Sequence, residues 1–432
     1  MECDECLSEV VSSEVMPSAG CTEIASIALG VALAAHGSGE PYRVRIYVDE
    51  GTFKNAVSAG VPGGGSGIEE AVRRAITSEP RGLQTLAFSR KRYEGPLDLV
   101  VYPLKMEDIF IYVTTNGEAS LISSKHDRVA YVGPSFSSIR EAIEYTRQNR
   151  GDIPLERLFQ NGRPIIGFED VLAYAESLSS SRRLMELVHE SSRIDMALAE
   201  DGLRNNYRGY SGSLPEGSPR ERAIKLASAA VEARMSGSLL PAMAVAGSGN
   251  QGITSTLPIY VYGKEKGYND EIITASVMVS WLTTIYTTGY LGYISPFCSV
   301  GLKGGAGLAA GLAYMLSGRD IGAAMRAAIN HIISLGGVFC DGAKPSCSLK
   351  TSTGVETAFR AANLAAAGRT VLKNEGLSGS DLDEVLENYR SIENASIGLI
   401  NESLVRVFAR KLPYVDLSLY HTASGLHRTA SG

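Results

Sequence analysis

The sequence predicts an α+β protein in which a small mixed or antiparallel sheet comes first and a large, nearly all-helical region follows. Before about residue 135, several runs alternate apolar and polar residues, which is the pattern of half-buried strands. After about Gly151 the alternation stops, and apolar residues recur with the helical period between glycine stops. We therefore expect an α/β domain in residues 1–150 and a helical domain in residues 151–432, because 432 residues exceed one ordinary hydrophobic core.

The N-terminal elements are predicted from their periodicity. Helices are expected over 25–35, which is rich in small apolar residues, and over 68–77, which follows a glycine loop. The step Thr115-Asn116-Gly117-Glu118 predicts a hairpin turn, and therefore an antiparallel part of the sheet. Strands are predicted in residues 42–49, 98–103, 108–113, 119–123 and 129–132.

The second region is predicted to consist of helices separated by short turns. Most of these segments are bounded by glycine, serine or proline, which begin and end helices. The predicted helices are residues 167–177, 183–202, 219–236, 271–286, 308–316, 322–335, 353–367 and 380–390.

The composition favours a small-molecule partner. The 41 basic and 47 acidic residues are mixed along the chain and give a formal net charge of −6, so no basic patch indicates nucleic acid or an anionic membrane. The first residues are acidic and are followed by no apolar stretch, so no signal peptide is expected. Six cysteines in such a chain do not indicate a disulfide framework. We expect a cytoplasmic protein with reduced thiols.

One stretch has the composition of a possible membrane span. Residues 272–302 contain no charged side chain, and small-xxx-small spacing occurs at the end of this stretch and just after it, in Gly301/Gly305 and Gly307/Gly311. The same stretch carries many serines, threonines and glycines, together with Pro296. The centre of a helical domain, where small residues let helices approach closely, explains this composition better, and no membrane partner is expected.

The N-terminal cysteines differ in context. Cys3 and Cys6 have the spacing of a metal or redox pair, but no strand or second pair accompanies them, which favours a frayed end. Cys21 precedes an apolar helical pattern that Ser18 or Thr22 can cap. In the first helical turn the helix dipole would lower the pKa of the thiol and favour a thiolate. A small buried residue at a helix start is an equal alternative.

A glycine-rich segment from Ala246 to Ile253 has the composition of a ligand loop. Its glycines let the backbone close on a ligand, and Ser248, Asn250 and Gln251 supply neutral hydrogen-bonding groups. A turn between two helices explains the segment as well.

Three further cysteines, Cys298, Cys340 and Cys347, lie in predicted loops of the helical region. The last two occur in a segment that also contains Lys344 and Lys350 and follows a Gly-Gly helix stop. Zinc would require a fourth ligand, which Cys21 can supply. An iron–sulfur cluster held by three thiolates is the other option. Spacing alone leaves both open.

Four segments, in the same order along nearly the whole chain, resemble the signature segments of the L-cysteine desulfidase family. This family is also called cysteine desulfhydrase or serine-dehydratase alpha-chain-like. Two departures are Ile24, where the family usually has proline, and the loop 63–67, which replaces a Pro-Gly-Thr-Gly loop. The four segments are Gly20-Cys21-Thr22-Glu23, residues 246–252, Ser295-Pro296-Phe297-Cys298 and residues 339–347.

The resemblance implies a [4Fe-4S] cluster, no PLP, and a lyase that carries out a non-redox α,β-elimination on L-cysteine to give pyruvate, ammonia and sulfide. More distant relatives, the iron–sulfur L-serine dehydratases, eliminate water instead, and an L-serine dehydratase is the alternative here. A non-catalytic cluster- or zinc-binding protein is an alternative of another class. In the dehydratases three cysteines hold the cluster, which implies ligation by Cys298, Cys340 and Cys347.

The same resemblance, with the chemistry of the residues, yields roles for the remaining candidates. Cys21 falls where the dehydratases have a candidate catalytic histidine, so it is expected to transfer a proton or contact substrate, although cluster ligation by Cys21 stays open. A homodimer is expected, because apolar helical domains of this type often bury faces against a copy of themselves. The expected catalytic residues are Cys21 and Lys344, and the expected substrate-binding residues are Thr22, Lys54, Asn55, Ser248, Asn250, Gln251 and Lys350.

Overall fold

The N-terminal region combines short helices with a five-stranded sheet. The structure is a computed structural model that describes residues 3–36, 39–89, 91–106, 108–160 and 163–421, except the side chains of Cys3 and Asp4. In this region the elements are α1 (Cys3–Glu14), β1 (Val15–Ser18), α2 (Thr22–Ala35), β2 (Tyr42–Asp49), α3 (Glu50–Ala56), α4 (Gly67–Ala75), β3 (Leu97–Leu104), β4 (Phe110–Thr115), β5 (Glu118–Ser123), β6 (Val129–Pro134) and α5 (Ile139–Gln148).

The sheet has the order β3-β2-β4-β5-β6. Strands β2 and β3 are parallel, and all other neighbours are antiparallel, so the predicted mixed sheet is confirmed. Asn116 and Gly117 adopt positive φ angles at the β4–β5 hairpin, as its turn sequence predicts. Helix α2 packs on the sheet through its small residues, and Gly30 lies against Val113 and Ser120 of β4 and β5. This packing fixes the start of α2, where Cys21 lies.

The remaining residues form the large helical region, and the predicted α+β class is confirmed. The elements are β7 (Phe159–Gln160), β8 (Arg163–Pro164), α6 (Phe168–Ala173), α7 (Ala175–Ser180), α8 (Arg182–Asn205), α9 (Pro219–Ser236), β9 (Ala242–Val245), α10 (Gly249–Lys266), α11 (Asp270–Leu291), α12 (Gly305–Leu316), α13 (Ile321–Leu335), α14 (Cys347–Ala366) and α15 (Leu382–Ala409).

Two expectations for this region are corrected. The segment 246–253 is not a loop throughout, because α10 begins at Gly249 and Ser248 caps it. Ala246 and Gly247 have positive φ angles and form the turn, whereas Gly249 and Gly252 lie in the helix. Strands also continue past residue 151, as the short β7, β8 and β9 show. They are too short for periodicity to reveal.

Helices α11 and α12 lie at the centre of the helical region. They approach so closely that a Cβ atom at Gly307 would lie 2.0 Å from Thr284 Oγ1. In the described part of the chain, α11 is the one helix long and apolar enough to cross a membrane, and 89% of its apolar window is buried against the rest of the chain. His331 is a core residue: its Nε2 lies 2.9 Å from Gly301 O, and burial lowers its pKa to about 4.

The two regions share backbone pairing. Strand β1 pairs antiparallel with β9, so the segment before Cys21 is tied to the segment before α10. A second bridge joins Val101 of β3 to Val415. The domain boundary near residue 150 stays a prediction.

Candidate active site

The segments that carry Cys298 and Cys340 lie side by side. The Cys298 N–H donates to Val338 O over 2.7 Å, and the Cys340 N–H donates to Pro296 O over 2.6 Å. These bonds form a two-residue antiparallel bridge at the level of Phe297 and Phe339. Cys298 is followed by a π-helical turn, Val300–Gly304, of the kind often found at functional sites. The local backbone therefore holds two of the three thiols close together.

Cys347 joins them through the loop that precedes α14. Gly342 has a φ of +92°, and a Cβ atom there would lie 2.5 Å from Lys54 O, so only glycine lets the loop rest on α3. The Cys347 N–H then donates to Lys344 O over 2.9 Å at the start of α14. This places the third thiol on the same side as the other two.

All three thiols line a cavity of about 60 Å³ that also reaches Cys21. A single water needs roughly 10–15 Å³ of such space, so the cavity is more than a packing defect. Other polar residues on its walls are Glu23, Asn55, Arg234, Ser248, Asn250, Tyr293, Ser295, Ser299 and Lys303.

Cys21 lies at the N-cap of α2 and is held by Glu23 and Asn55. Its Sγ donates to Glu23 Oε2 over 2.8 Å, and Asn55 Nδ2 donates to Glu23 Oε1 over 2.6 Å. Asn55 also faces the helical region, since the Cys340 Sγ lies 3.7 Å from its Oδ1. Burial first, and then the charge of Glu23, raise the pKa of Cys21 well above its usual value. The dipole effect expected from the sequence is outweighed, and Cys21 is a protonated hydrogen-bond donor.

Glu23 connects Cys21 to His126, whose Nε2 lies 3.9 Å from Glu23 Oε1. Burial raises the pKa of Glu23, but the nearby His126 ring and the hydrogen bonds from Cys21 and Asn55 bring it below its usual value. Burial lowers the pKa of His126 against the attraction of Glu23. Neither ring nitrogen has a hydrogen-bond partner among the described residues. The result is a carboxylate between a thiol and an imidazole.

Arg234, in the last turn of α9, crosses behind the start of α10. Its Nη1 donates to Asn250 Oδ1 over 2.9 Å, and its Nη2 donates to Thr22 Oγ1 over 3.2 Å. Burial lowers the pKa of this arginine, while Cys21, Glu23, Asp195 and Cys347 favour its charge. The charge of the Arg234 guanidinium therefore interacts with the thiols that line the cavity.

Only some of the expected substrate-binding residues line the cavity. Ser248 and Asn250 line the cavity. Thr22 lies behind it as an acceptor for Arg234. Gln251 is fully buried, and its side chain donates to Val245 O over 3.0 Å and to Thr288 Oγ1 over 3.2 Å.

Lys54 and Lys303 are buried beneath the turn that carries Cys298. Lys54 Nζ donates to Ser295 O over 3.2 Å, and Lys303 Nζ donates to Gly292 O over 2.8 Å. Burial lowers the pKa of Lys303 to about 8, although Glu393 favours its charge. Burial likewise raises the pKa of Glu393 to about 7, against Lys303 and Lys54. Lys303 lines the cavity, whereas Lys54 supports the turn from behind.

Lys344 and Lys350 are both bound to one carboxylate. Their Nζ atoms lie 2.6 Å and 2.7 Å from Asp341 Oδ1. Burial alone would raise the pKa of Asp341, but the two ammonium groups hold it at about 2. Neither lysine is among the residues that line the cavity, so their bonds stabilise the loop between Cys340 and Cys347.

The donor set can be compared with the two metal options. In the described part of the chain, no three His, Cys, Asp or Glu side chains converge tightly enough to hold one metal ion. A zinc ion with four ligands at ~2.0–2.3 Å would require such convergence. A cluster of four irons is wider than one ion, and three thiols on the walls of one cavity are a donor set that it takes. The cysteines fit the cluster better than zinc.

Sequence reasoning did not assign roles to four residues at this site: Glu23, His126, Arg234 and Lys303. A role for Glu23 could have been predicted from the sequence, because it follows Cys21 by two positions. Arg234 and Lys303 carried a weaker signal, which is a single cation within a run of small apolar residues. His126 had none. Cys6 lies half-buried on α1, and the side chain of Cys3 is outside the described residues, so their roles stay open.

Comparison with known proteins identifies the class of this fold and site. The profile of the serine dehydratase alpha chain family matches residues 113–397, about two thirds of the sequence, and includes Cys298, Cys340 and Cys347. The chain belongs to this family, whose members are relatives of lyase-type serine dehydratases.

Full-length relatives are known under a common name. A UPF0597 protein of Bacteroides thetaiotaomicron is 28% identical over 429 residues, which cover 93% of this chain and 97% of that protein. A UPF0597 protein of Clostridium perfringens is 28% identical with the same coverage. The UPF0597 protein TTE0269 of Caldanaerobacter subterraneus is 27% identical over 433 residues, 94% of this chain and 98% of that protein. The similarity therefore extends beyond the residues that the family profile matches.

Proposed function

We propose that this chain is a lyase that catalyses α,β-elimination from L-cysteine. With one water, L-cysteine gives pyruvate, ammonia and hydrogen sulfide, without net oxidation or reduction. The observation that carries the proposal is the meeting of three thiols and the Cys21–Glu23 pair on one cavity. Membership of the serine dehydratase alpha chain family supports the elimination chemistry.

Cys298, Cys340 and Cys347 are proposed to hold a [4Fe-4S] cluster. When bound by three thiolates, such a cluster supplies an open iron that acts as a Lewis acid at the leaving atom. Burial raises the pKa of Cys347 to about 12, and burial with the neighbouring Cys340 raises that of Cys298. Because ligation requires thiolates, assembly releases these protons and is favoured by higher pH.

Cys21 and Glu23 are proposed to handle the α-proton. The thiol proton lies on the 2.8 Å bond between Cys21 Sγ and Glu23 Oε2. Transfer of that proton to Glu23 leaves a thiolate whose raised pKa makes it a strong base for a weakly acidic C–H bond. Asn55 fixes the carboxylate by donating to its other oxygen. The α-proton then replaces the one that left Cys21, and the proton on Glu23 passes to the departing sulfur, which gives hydrogen sulfide and restores the carboxylate.

Positioning of the amino acid is proposed for the neutral groups on the walls. Ser248 and Asn250 lie at the start of α10 and line the cavity. Thr22, Lys54 and Gln251 act from behind by fixing the residues and turns that form the walls. Lys344 and Lys350 remain proposed catalytic and substrate-binding residues, and contact with substrate would require them to leave Asp341.

An L-serine dehydratase is the second candidate, and the family description favours it. The two reactions differ in the leaving atom, which is sulfur in one and oxygen in the other. Neither requires PLP. A cytoplasmic homodimer acting on a small amino acid, without nucleic acid or membrane partners, completes the proposal.

Anaerobic reconstitution followed by parallel assays tests the proposal. We expect sulfide and pyruvate in equal amounts from L-cysteine, at a higher kcat/KM than pyruvate from L-serine. The reverse order would identify a serine dehydratase. Activity with neither amino acid in the cluster-loaded protein would favour a non-catalytic cluster protein, and zinc without iron or inorganic sulfide in anaerobically purified protein would exclude both enzyme functions.

A further inference from the structure

Arg234 is a cation of the site that has no ion pair among the described residues. Its side chain is only 2% exposed and lines the cavity, yet two of its nitrogens bind the neutral groups of Asn250 and Thr22. The third, Nε, is buried without a hydrogen-bond partner in the described part of the chain. A buried, unpartnered N–H of a charged group is rare and costly, and a bound ligand with an oxygen acceptor would satisfy it.

The ammonium groups near the cavity already have an ion-pair or hydrogen-bond partner. Lys344 and Lys350 share Asp341, and the Nζ atoms of Lys54 and Lys303 donate to backbone carbonyls. The carboxyl of Asp195, which lies on the Arg234 side, accepts the Met243 N–H, and burial raises its pKa to about 8. Asp195 is therefore mostly neutral near pH 7, and the carboxylate of Glu23, which acts more strongly on Arg234, forms no ion pair with it among the described residues.

The start of α10 adds to the positive character of this wall. Helix α10 has 18 residues, and its first turn is next to the guanidinium. A Cβ atom at Gly249 would lie 2.5 Å from Arg234 Nε, so glycine is what lets the guanidinium lie flat on the helix start. Helix N-termini and guanidinium groups both favour carboxylates, and here the two lie together at the cavity.

We propose that Arg234 binds the α-carboxylate of the substrate through its free Nε–H and the adjoining edge of the guanidinium. This inference rests on the proposed elimination and defines the substrate class as a free α-amino acid with an unmodified carboxylate. It replaces the loop lysines as the main carboxylate partner. A carboxylate on Arg234 would hold the amino acid in the same cavity that the three cysteines line.

The test uses anaerobically reconstituted protein and two ligands without a leaving group. L-alanine retains the α-carboxylate, and ethylamine lacks it. We expect wild-type protein to bind L-alanine at least tenfold more tightly than ethylamine by calorimetry. Equal binding of the two ligands, or no binding of L-alanine, would overturn the proposal without any variant.

Two substitutions and one control test whether Arg234 causes the preference for L-alanine over ethylamine. Arg234→Lys keeps the charge and loses the planar fork, and Gly249→Ala displaces the guanidinium while retaining it. Both should weaken L-alanine binding and raise KM for the reactive amino acid at least tenfold, with a smaller change in kcat. Arg220→Lys on the same helix, where Arg220 pairs with Glu356, should leave both values unchanged.

The readouts separate the possible failures. Loss of cluster absorbance and iron in Arg234→Lys and Gly249→Ala would show that Arg234 supports the cluster instead, and would overturn the carboxylate role. Unchanged L-alanine binding in Gly249→Ala would also overturn it. Wild-type protein that binds L-alanine through Arg234 but turns over neither cysteine nor serine would refute the proposed function and retain the carboxylate site.

Discussion

The two walls of the cavity use the same side chain in different surroundings. On the wall from the α/β region, the Cys21 thiol donates a 2.8 Å hydrogen bond to a carboxylate. On the wall from the helical region, Cys340 and Cys347 have only weak contacts of 3.7 and 3.8 Å to an amide and a carbonyl oxygen. A thiol paired with a carboxylate is arranged for proton transfer, whereas thiols without strong partners are available for ligation. The hydrogen-bond partners of each cysteine, and not the residue type, therefore distinguish these roles.

Substitution on the helical wall should have the largest effect. Replacing Cys298, Cys340 or Cys347 with serine is expected to prevent stable cluster binding and reduce turnover to background, because these three thiolates are the proposed ligands of the cluster. Iron content and visible absorbance measure this directly. Cys6→Ser is the matched control, since Cys6 lies on α1 outside the cavity. A single variant that keeps both cluster and activity would remove that cysteine from the donor set.

Substitution on the opposite wall should separate catalysis from cluster binding. Cys21→Ser is expected to retain the cluster absorbance and to lower kcat by roughly 10²–10⁴-fold, which is the usual contribution of a positioned acid or base. Steady-state kinetics and absorbance on the same sample decide the outcome. If the absorbance disappears as well, Cys21 is a ligand and the two walls do not differ as described.

Substitution of Glu23, on the same wall as Cys21, should have a smaller effect on turnover. Glu23→Gln is expected to lower kcat roughly 10–100-fold, by removing the acceptor for the Cys21 proton. Because the charge of Glu23 raises the pKa of Cys21, its removal should lower the pH at which kcat/KM rises as the Cys21 thiol loses its proton. A pH–rate series for both proteins measures the shift. A profile identical to that of wild type would separate Glu23 from the titration, and Glu69→Gln on α4 serves as a distant control.

The loop behind the helical wall should show the smallest effect, on stability alone. The pKa of Asp341 is about 2 in the folded chain and ~3.9 in an unfolded one. Its pairs with the two lysines therefore stabilise the fold above about pH 4, and this contribution is lost as the pH falls toward about 2. Solvent screening keeps it to roughly 1 kcal/mol or less. Asp341→Asn should narrow the difference between urea midpoints at pH 5 and pH 2.5, and an unchanged difference would contradict the assignment.

Much of the fold followed from local signals in the sequence. Helix α9 begins and ends where predicted, because Ser218 caps it, Pro219 occupies its first position and Gly237 adopts a left-handed φ after it. Helix α10 escaped prediction because its first turn contains two glycines, which periodicity assigns to a loop. Those glycines are required by contacts with Arg234 and with Met243 O, and such contacts exist only after folding.

The site was predictable only in part for a related reason. The cysteines carried their own chemical signal, and the resemblance supplied their grouping. The bond between Arg234 and Thr22 joins residues 212 positions apart, and no pattern in either segment refers to the other. Burial likewise reversed the expected direction for the pKa of Cys21, since desolvation depends on the packing around α2.

The pairing of the short strands β1 and β9 fixes the position of one cavity wall relative to the other. Ser18 pairs with Ala242 and Val15 pairs with Val245, so the chain leaves this strand pair a few residues before Cys21 on one strand and before Gly249 on the other. A slip of one residue would move one wall by ~3.4 Å relative to the other, whereas reacting groups tolerate about 1 Å. Length changes should therefore be excluded from residues 15–21 and 242–249 of any active relative, however freely the outer helices vary.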